Sequence, residues 1–169
     1  MGPTGAGKSI QAKRLAQLPM VSHLSSGELL RKDPTDSALL ASGELVASDE
    51  VERIVEVALG RVSVHHTIIL DGFPRVLDEA AWLDGKVSAW GRKITRVILF
   101  EVSEEVSRER LATRQRADDL PAALAAKWRE YHEQTMPVIE HYKALGLLTT
   151  VDGAQSMETI YDQIRGYIA

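Results

Sequence analysis

Hydrophobic residues along this chain fall into two kinds of pattern. Four short runs are continuously apolar and rich in β-branched residues, which is typical of strands buried on both faces. These predicted strands cover residues 20–25, 66–71, 95–102 and 147–153. Between them, helical spacing of the apolar residues predicts helices at about 7–18, 49–60, 77–90, 103–114, 121–145 and 156–168. The alternation predicts an α/β fold, a doubly wound parallel sheet with helices on both faces.

Polar residues mark the starts of three of these helices. Ser103 and Ser156 each stand just before a helical pattern, and Asp49 is followed three residues later by Glu52. Side-chain oxygens at such positions accept hydrogen bonds from the free amides of the first turn. We therefore expect Ser103, Ser156 and Asp49 to cap their helices.

The composition fits a single domain and excludes several kinds of chemistry. The 169 residues, 44% of them hydrophobic, are enough to bury one core, so we expect one domain over residues 1–169. Without cysteine there is no disulfide, thiolate nucleophile or cysteine-bound zinc. The net charge of −4 argues against a nucleic-acid polymer as partner, and no apolar run approaches the roughly 20 residues that span a bilayer. We expect a cytoplasmic protein with no membrane partner.

A glycine-rich segment near the start of the chain carries the first chemical signal. Gly2–Ser9 has the form G-x-x-x-x-G-K-S, and a helical pattern follows it. Such a loop directs backbone amides at phosphate oxygens from a helix N-terminus. We expect Lys8 to reach the outer phosphates of ATP and the Ser9 hydroxyl to ligate Mg²⁺. The remaining predicted ATP contacts of this segment are Gly5, Ala6, Gly7 and Ile10.

Three more segments follow in order: LSSGELLR at 24–31, IILDGFPR at 68–75 and RERLATRQRADD at 108–119. Together with the first loop they resemble the adenylate kinase family of nucleoside monophosphate kinases, and the likeness continues through residues 150–164. The resemblance implies a P-loop NTPase fold with a five-stranded parallel sheet and two mobile flaps. It also implies transfer of the γ-phosphoryl group of ATP to AMP, with Mg²⁺ as cofactor, by a monomer.

The resemblance assigns roles around the transferred phosphoryl group. Asp71 resembles the family's carboxylate that orders the water shell of Mg²⁺, and Arg110 corresponds to the residue lying against the ATP base. Arg114 and Arg116 correspond to residues that close on the transferring phosphoryl group. Phosphoryl transfer consists mainly of positioning and charge neutralisation, which accounts for the density of arginines. No side chain is needed as general base, because the attacking phosphate oxygen is already largely ionised at neutral pH, so we expect the five histidines to be structural or surface residues.

The monophosphate side is predicted in the same way. Arg31 and Arg75 resemble the pair that hold the monophosphate, a task that suits the guanidinium fork. The other predicted contacts on this side are Ser26, Leu45, Val46, Gly72 and Glu79. We expect a small monophosphate flap at about 26–60 and a minimal lid at about 114–119.

Two residues depart from the family pattern. Lys127 stands where the family usually has another phosphate-binding arginine, and Arg129 can replace that arginine only if the helix register shifts. Glu79 stands where AMP-specific members have a glutamine, and an ionised glutamate accepts hydrogen bonds but cannot donate them. AMP is the expected acceptor by resemblance, whereas Glu79 favours the alternative of a kinase for GMP, CMP or a non-nucleotide. A non-catalytic nucleotide-binding module is the alternative from another class.

Only Met1 stands before the phosphate loop, where related folds have the central strand of the sheet. Loss of this central strand would expose strand edges and remove several apolar side chains from the core, each contributing about 1.5–3 kcal/mol. We therefore expect either that further residues precede Met1 in the native protein or that another segment or a partner chain supplies the strand.

Overall fold

The computed structural model describes residues 1–32, 36, 38, 46–113 and 121–168. Four strands lie at the predicted positions, which confirms the interpretation of the continuous apolar runs. Their bounds are Val21–Ser25 (β1), Thr67–Asp71 (β2), Val97–Glu101 (β3) and Leu148–Asp152 (β4).

Helices occupy the segments between these strands, as the periodicity predicts. Their bounds are Lys8–Leu15 (α1), Ser26–Leu30 (α2), Ser48–Gly60 (α3), Leu77–Ala89 (α4), Glu104–Ala112 (α5), Pro121–Glu130 (α6), Met136–Ala144 (α7) and Met157–Arg165 (α8). None of the helices described is both long enough and apolar enough to cross a membrane.

Two of the three predicted helix caps are confirmed. The Ser103 hydroxyl accepts a hydrogen bond from the Val106 amide, and the Ser156 hydroxyl accepts one from the Thr159 amide. The prediction for Asp49 is wrong: α3 begins at Ser48, and the residue before it makes no side-chain cap. Asp49 lies inside the first turn, where the positive end of the helix dipole stabilises its negative charge.

The long helix predicted over 121–145 is divided into α6 and α7 by a π-helix, Tyr131–Thr135. A π-helix has a wider turn than an α-helix, with i→i+5 hydrogen bonds, and such turns are frequent at functional sites. The π-helix therefore changes the direction, around the helix axis, in which the side chains that follow it point relative to those of α6. The apolar periodicity of residues 121–145 predicted one continuous helix and gave no sign of this wide turn.

The four strands form two parallel pairs. β1 pairs with β2 in the register Val21↔Thr67, and β3 pairs with β4 in the register Val97↔Leu148. Within the part of the chain described, β2 and β3 are not hydrogen-bonded to each other. The described residues therefore make two half-sheets, and the single five-stranded sheet that the resemblance implies stays a prediction.

Helices cover both faces of the half-sheets, which confirms the α/β class. On β2, Ile68 and Leu70 pack into the apolar cluster that contains Leu83 of α4, whereas Ile69 packs into the cluster that contains Leu15 of α1. Because successive side chains of a strand point to opposite faces, these two clusters lie on opposite sides of β2.

Met1 lies beside β3. Its amino group donates a hydrogen bond to the Ile98 carbonyl oxygen, and its own carbonyl oxygen accepts one from the Phe100 amide at 3.0 Å. This is the bonding of a residue paired with a parallel strand. At Gly2, a Cβ atom would collide with the Phe100 carbonyl oxygen. The phosphate loop can therefore start this close to β3 only because residue 2 has no side chain. The expectation that a complete strand fills the space between β2 and β3 stays a prediction.

Candidate active site

The phosphate loop and the carboxyl ends of the strands border one cavity with a volume of about 1140 Å³. Such an edge is where open α/β sheets bind ligands. Twelve of the residues predicted from the sequence line it: Gly5, Ala6, Gly7, Lys8, Ser9, Ile10, Arg31, Asp71, Gly72, Arg75, Arg110 and Lys127. The cavity continues between the two half-sheets, where it is lined by apolar residues of β2 and β3. The fold therefore brings most of the predicted ATP and monophosphate groups to one space.

The loop itself has the backbone form that phosphate binding requires. Gly7 has φ +88° and caps the N-terminus of α1 without any side-chain hydrogen bond to the first turn. An L side chain rarely adopts this conformation, so glycine keeps the loop open. The N-terminal amides of a helix and the positive end of its dipole together favour an anion at such a point.

A buried serine of α5 fixes the loop from behind. The Ser107 hydroxyl donates a hydrogen bond of 2.6 Å to the Thr4 carbonyl oxygen, and Ser107 is fully buried. A Cβ atom on Gly5 would lie 2.7 Å from that hydroxyl, so the loop approaches α5 closely only because residue 5 is glycine. Sequence reasoning missed Ser107, because nothing in its helical neighbourhood marks it as a partner of a loop 103 residues away.

Lys8 lies over the loop that carries it. Its ammonium donates hydrogen bonds to the carbonyl oxygens of Gly2 at 2.7 Å and Pro3 at 2.6 Å. These contacts hold the positive charge at the cavity wall beside the loop amides. Lys8 thus adds a positioned charge to the anion site at the start of α1.

Ser9 and Asp71 join the phosphate loop to the end of β2. The Ser9 hydroxyl donates a hydrogen bond of 2.5 Å to Asp71 Oδ2, and the His23 Nε2 atom lies 3.4 Å from the same oxygen. Burial favours the neutral acid, but the hydrogen bonds from His23 and Ser9 and the charge of Lys8 outweigh it and lower the pKa of Asp71 to about 2. Asp71 is therefore an ionised carboxylate at neutral pH.

His23 is a contact of the site that sequence reasoning did not identify. It was expected to be structural or at the surface, and its side chain is 8% exposed in the middle of β1. Parallel pairing in register places Ser25 opposite Asp71, so that His23 on β1 comes within reach of the carboxylate. The signal available in the sequence was a histidine two residues before the end of a strand neighbouring the one that ends in Asp71.

Three arginines are anchored to the cavity wall through backbone carbonyls. Arg31 donates to the Gly27 oxygen at 3.0 Å, and Arg75 Nε donates to the Gly72 oxygen at 2.9 Å. Arg110 donates to the Gly153 oxygen at 2.7 Å. An anchored guanidinium loses less rotamer freedom when it binds a ligand, so these contacts lower the entropic cost of binding at all three side chains.

Lys127 and Arg129 differ in their position relative to the cavity. Lys127 is partly buried and lines the cavity, whereas Arg129 is exposed and does not line it. Two residues apart on α6, they point to different sides of the helix. The cationic side chain that α6 presents to the cavity is therefore a lysine, which carries the charge of an arginine but lacks its planar fork.

Ser26 and Val46 are buried and do not line the cavity. Val46 packs in the apolar cluster with Leu30 and Phe73. The Ser26 hydroxyl makes a long hydrogen bond of 3.5 Å to the Asp71 carbonyl oxygen, and a Cβ atom on Gly72 would lie 2.7 Å from it. In this conformation they support the walls of the site, and their contacts with a monophosphate stay predictions.

Glu79 is also turned away from the cavity. It is 5% exposed, does not line the cavity, and its Oε2 atom accepts a hydrogen bond of 2.6 Å from the Arg75 amide. Burial raises the pKa of Glu79, although hydrogen bonds from the backbone amides of Arg75 and Val76 oppose that rise. Its predicted contact with the base stays a prediction, and the carboxylate has a backbone partner already.

Leu45, Arg114, Arg116 and the lid at 114–119 lie outside the described residues, as does much of the segment between 33 and 45. The predictions for these residues therefore rest on the resemblance alone. The single-domain prediction and the bounds of the two flaps stay predictions as well.

Comparison with known proteins identifies the family of this chain. The adenylate kinase family model matches residues 1–147. The adenylate kinase of Parvibaculum lavamentivorans is 37% identical over 179 aligned positions, which cover 97% of this chain and 87% of that protein. Adenylate kinases of Prochlorococcus marinus (strain MIT 9303) and Xylella fastidiosa (strain M12) are 39% and 33% identical, over 95% and 97% of this chain and 91% and 94% of their own lengths. The chain belongs to the adenylate kinase family.

Proposed function

We propose that this protein transfers the γ-phosphoryl group of ATP to AMP and forms two molecules of ADP. The observation that carries the proposal is the convergence of two anion sites on one cavity. The phosphate loop with Lys8 lies on one side, and Arg31 and Arg75 lie on the side formed by α2 and the end of β2. Family membership supports the same reaction.

The residues present fit a magnesium ion that accompanies the nucleotide. Ser9 Oγ and Asp71 Oδ2 are adjacent oxygen donors, and Asp71 is ionised at neutral pH. Two protein oxygens are sufficient for such an ion, because Mg²⁺ usually keeps several waters and binds substrate phosphates as well. Bound there, Mg²⁺ would neutralise charge on the phosphate oxygens of ATP.

The transfer needs positioning more than acid–base chemistry. An AMP phosphate oxygen forms a bond to the γ-phosphorus while the bond from that phosphorus to the β–γ bridging oxygen breaks, which leaves ADP on both sides. The attacking phosphate has its second pKa near 6, so it needs no general base. Lys8 would hold the ATP phosphates, Arg31 and Arg75 the monophosphate, and Lys127 a phosphate between them. By resemblance, Arg110 contacts the ATP base and Arg114 and Arg116 close on the moving phosphoryl group.

The sequence also allows two alternative functions. A kinase for GMP, CMP or a non-nucleotide acceptor is favoured only if Glu79 turns toward the base, and its carboxylate is occupied by a backbone amide in this conformation. A non-catalytic nucleotide-binding module is disfavoured by the arginines on the acceptor side, which ATP binding alone does not require. We propose that the protein works as a monomer.

Product analysis tests the proposal. The protein is incubated with ATP and Mg²⁺, together with AMP, GMP, CMP or UMP in separate reactions, and the nucleotides are separated by chromatography. We expect AMP and ATP to disappear in equal amounts, with two ADP formed for each pair. A faster reaction with GMP or CMP would identify that nucleotide, and not AMP, as the preferred acceptor. Nucleotide binding without any monophosphate-dependent product would identify a binding module.

A further inference from the structure

We propose that Glu79 and Thr135 form a two-sided clamp on the backbone of Arg75 and act as positioning residues for that arginine. The inference rests on the proposed function, in which Arg75 holds the monophosphate. It assigns to Glu79 a task other than reading the base, and it gives Thr135 a task that no feature of the sequence indicated.

The first side of the clamp comes from α4. Glu79 is the third residue of this helix, and its Oε2 atom accepts the hydrogen bond from the Arg75 amide at 2.6 Å. The helix has Val76 at its N-cap, which offers no side-chain oxygen to the first turn. Glu79 therefore reaches back to the residues before the helix, as the glutamate of a capping box does.

Burial makes this contact hard to exchange for another. Glu79 is 5% exposed, so water does not replace a lost partner of its carboxylate. A buried carboxyl group without hydrogen bonds is costly, whether it is charged or neutral. The Arg75 and Val76 amides are the backbone donors that satisfy it, and the carboxylate in turn fixes the direction of the peptide that carries Arg75.

The second side of the clamp comes from the π-helix. The Thr135 hydroxyl donates a hydrogen bond of 3.1 Å to the Arg75 carbonyl oxygen, and Thr135 is the last residue of Tyr131–Thr135. Both Thr135 and Lys127 line the cavity although they lie eight residues apart along α6 and the π-helix. The wide π turn brings Thr135 to the cavity side, where the Arg75 backbone passes.

Arg75 is thus held at three points. The Arg75 amide donates a hydrogen bond to Glu79, and the Arg75 carbonyl oxygen accepts one from Thr135. The Arg75 Nε atom donates to the Gly72 carbonyl oxygen. The first two contacts come from elements on either side of the loop, so they fix the Cα position from which the guanidinium extends. Bidentate phosphate binding depends on such placement, because small displacements of a positioned group weaken catalysis strongly.

The clamp is tested by changing Thr135. Thr135→Val keeps the shape of the side chain and removes its hydroxyl, Thr135→Ser restores the hydroxyl, and Thr150→Val is the matched control on an exposed residue of β4. We expect Thr135→Val to lower kcat/KM for AMP about five- to thirtyfold, the loss expected when the Arg75 carbonyl oxygen is left without its donor, with KM for ATP within about twofold of the wild type. Thr135→Ser should recover most of the loss, and Thr150→Val should match the wild type.

Glu79 is tested with two readouts. Glu79→Gln keeps one oxygen acceptor, and it should lower kcat/KM for AMP and GMP by the same factor, because the clamp acts on the phosphate site and not on the base. Backbone amide exchange of Arg75, measured by NMR, should be slow in the wild type and at least about tenfold faster in Glu79→Leu. The exchange measurement needs no catalytic activity.

Several results would overturn the inference. Thr135→Val kinetics equal to wild type, equal rises in KM for AMP and ATP, or an Arg75 amide that is unprotected in the wild type would each do so. A change in the AMP to GMP ratio caused by Glu79→Gln would show that this residue reads the base instead. A wild-type protein that is inactive on every monophosphate but has a protected Arg75 amide would refute the proposed function and the catalytic purpose of the clamp while leaving its geometry intact.

Discussion

Ser9 and Asp71 are 62 residues apart in the sequence, yet the Ser9 hydroxyl donates a hydrogen bond of 2.5 Å to Asp71 Oδ2. The contact joins the first helix to the carboxyl end of β2 and so fixes the phosphate loop relative to the acceptor side of the cavity. It also brings together the two oxygen donors that the sequence assigned to Mg²⁺.

Asp71→Asn should lower kcat about 10²–10³-fold, because the amide keeps the volume of the side chain but removes the negative charge that faces the metal–nucleotide complex. The dependence of the rate on Mg²⁺ concentration should shift to higher concentrations in the variant. Initial rates measured over a Mg²⁺ series check this. An unchanged Mg²⁺ dependence would remove Asp71 from the metal site, and the thermal melt of each protein serves as the control for folding.

The depressed pKa of Asp71 predicts how stability depends on pH. The drop from 3.8 to about 2 corresponds to about 2 kcal/mol of stabilisation, at 1.36 kcal/mol per pKa unit. This contribution is present above pH 4 and is lost as the pH falls through 2, because the folded carboxyl group resists protonation. Urea unfolding of the wild type and Asp71→Asn between pH 2 and 6 measures it. A difference between the two proteins that does not shrink at low pH would contradict the assignment.

Protonation of Glu79 affects stability in the direction opposite to that of Asp71. Burial raises its pKa above 4.5, so the folded state holds its proton at pH values where the unfolded chain releases it. Stability should therefore fall as the pH rises from about 4.5 through the pKa of the folded state, and this fall should be absent in Glu79→Gln. The comparison is made by urea unfolding at pH 4 to 8. The same slope in both proteins would mean that Glu79 ionises as freely in the folded state as in the unfolded one.

Arg75→Lys should raise KM for AMP and lower kcat, because an ammonium cannot reproduce the two parallel hydrogen bonds of a guanidinium and loses the contact with the Gly72 oxygen. A five- to fiftyfold loss in kcat/KM is expected, about 1–2 kcal/mol. Steady-state kinetics with AMP varied at saturating ATP measure it. Kinetics within twofold of the wild type would place Arg75 outside the monophosphate site.

The parts of the fold that sequence predicts well are those that depend on local patterns. Strands such as Thr67–Asp71 are recognisable because burial on both faces requires a continuous apolar run. The residues of the phosphate loop are also local, since Gly5, Lys8 and Ser9 act from one contiguous segment. The α/β class and much of the ATP site follow from these patterns and the resemblance.

The parts that sequence does not predict depend on contacts between distant segments. Ser107 supports the phosphate loop from α5, and Thr135 reaches Arg75 from a π-helix that interrupts a helix predicted to be continuous. Glu79 illustrates the same limit, because nothing in the sequence indicated its hydrogen bond from the Arg75 amide, whereas its contact with the base stays a prediction. In each case the hydrogen-bond partner is set by packing, which periodicity and motifs do not encode.

The transfer itself is measured most directly with ATP that carries a radioactive γ-phosphate. The protein and Lys8→Ala are each incubated with this ATP, Mg²⁺ and unlabelled AMP, and the labelled products are separated. We predict that the wild type moves the label into ADP in proportion to the AMP consumed, and that Lys8→Ala loses this transfer while its thermal melt stays close to that of the wild type. Label released only as inorganic phosphate, or retained in ATP by the wild type, would contradict the account.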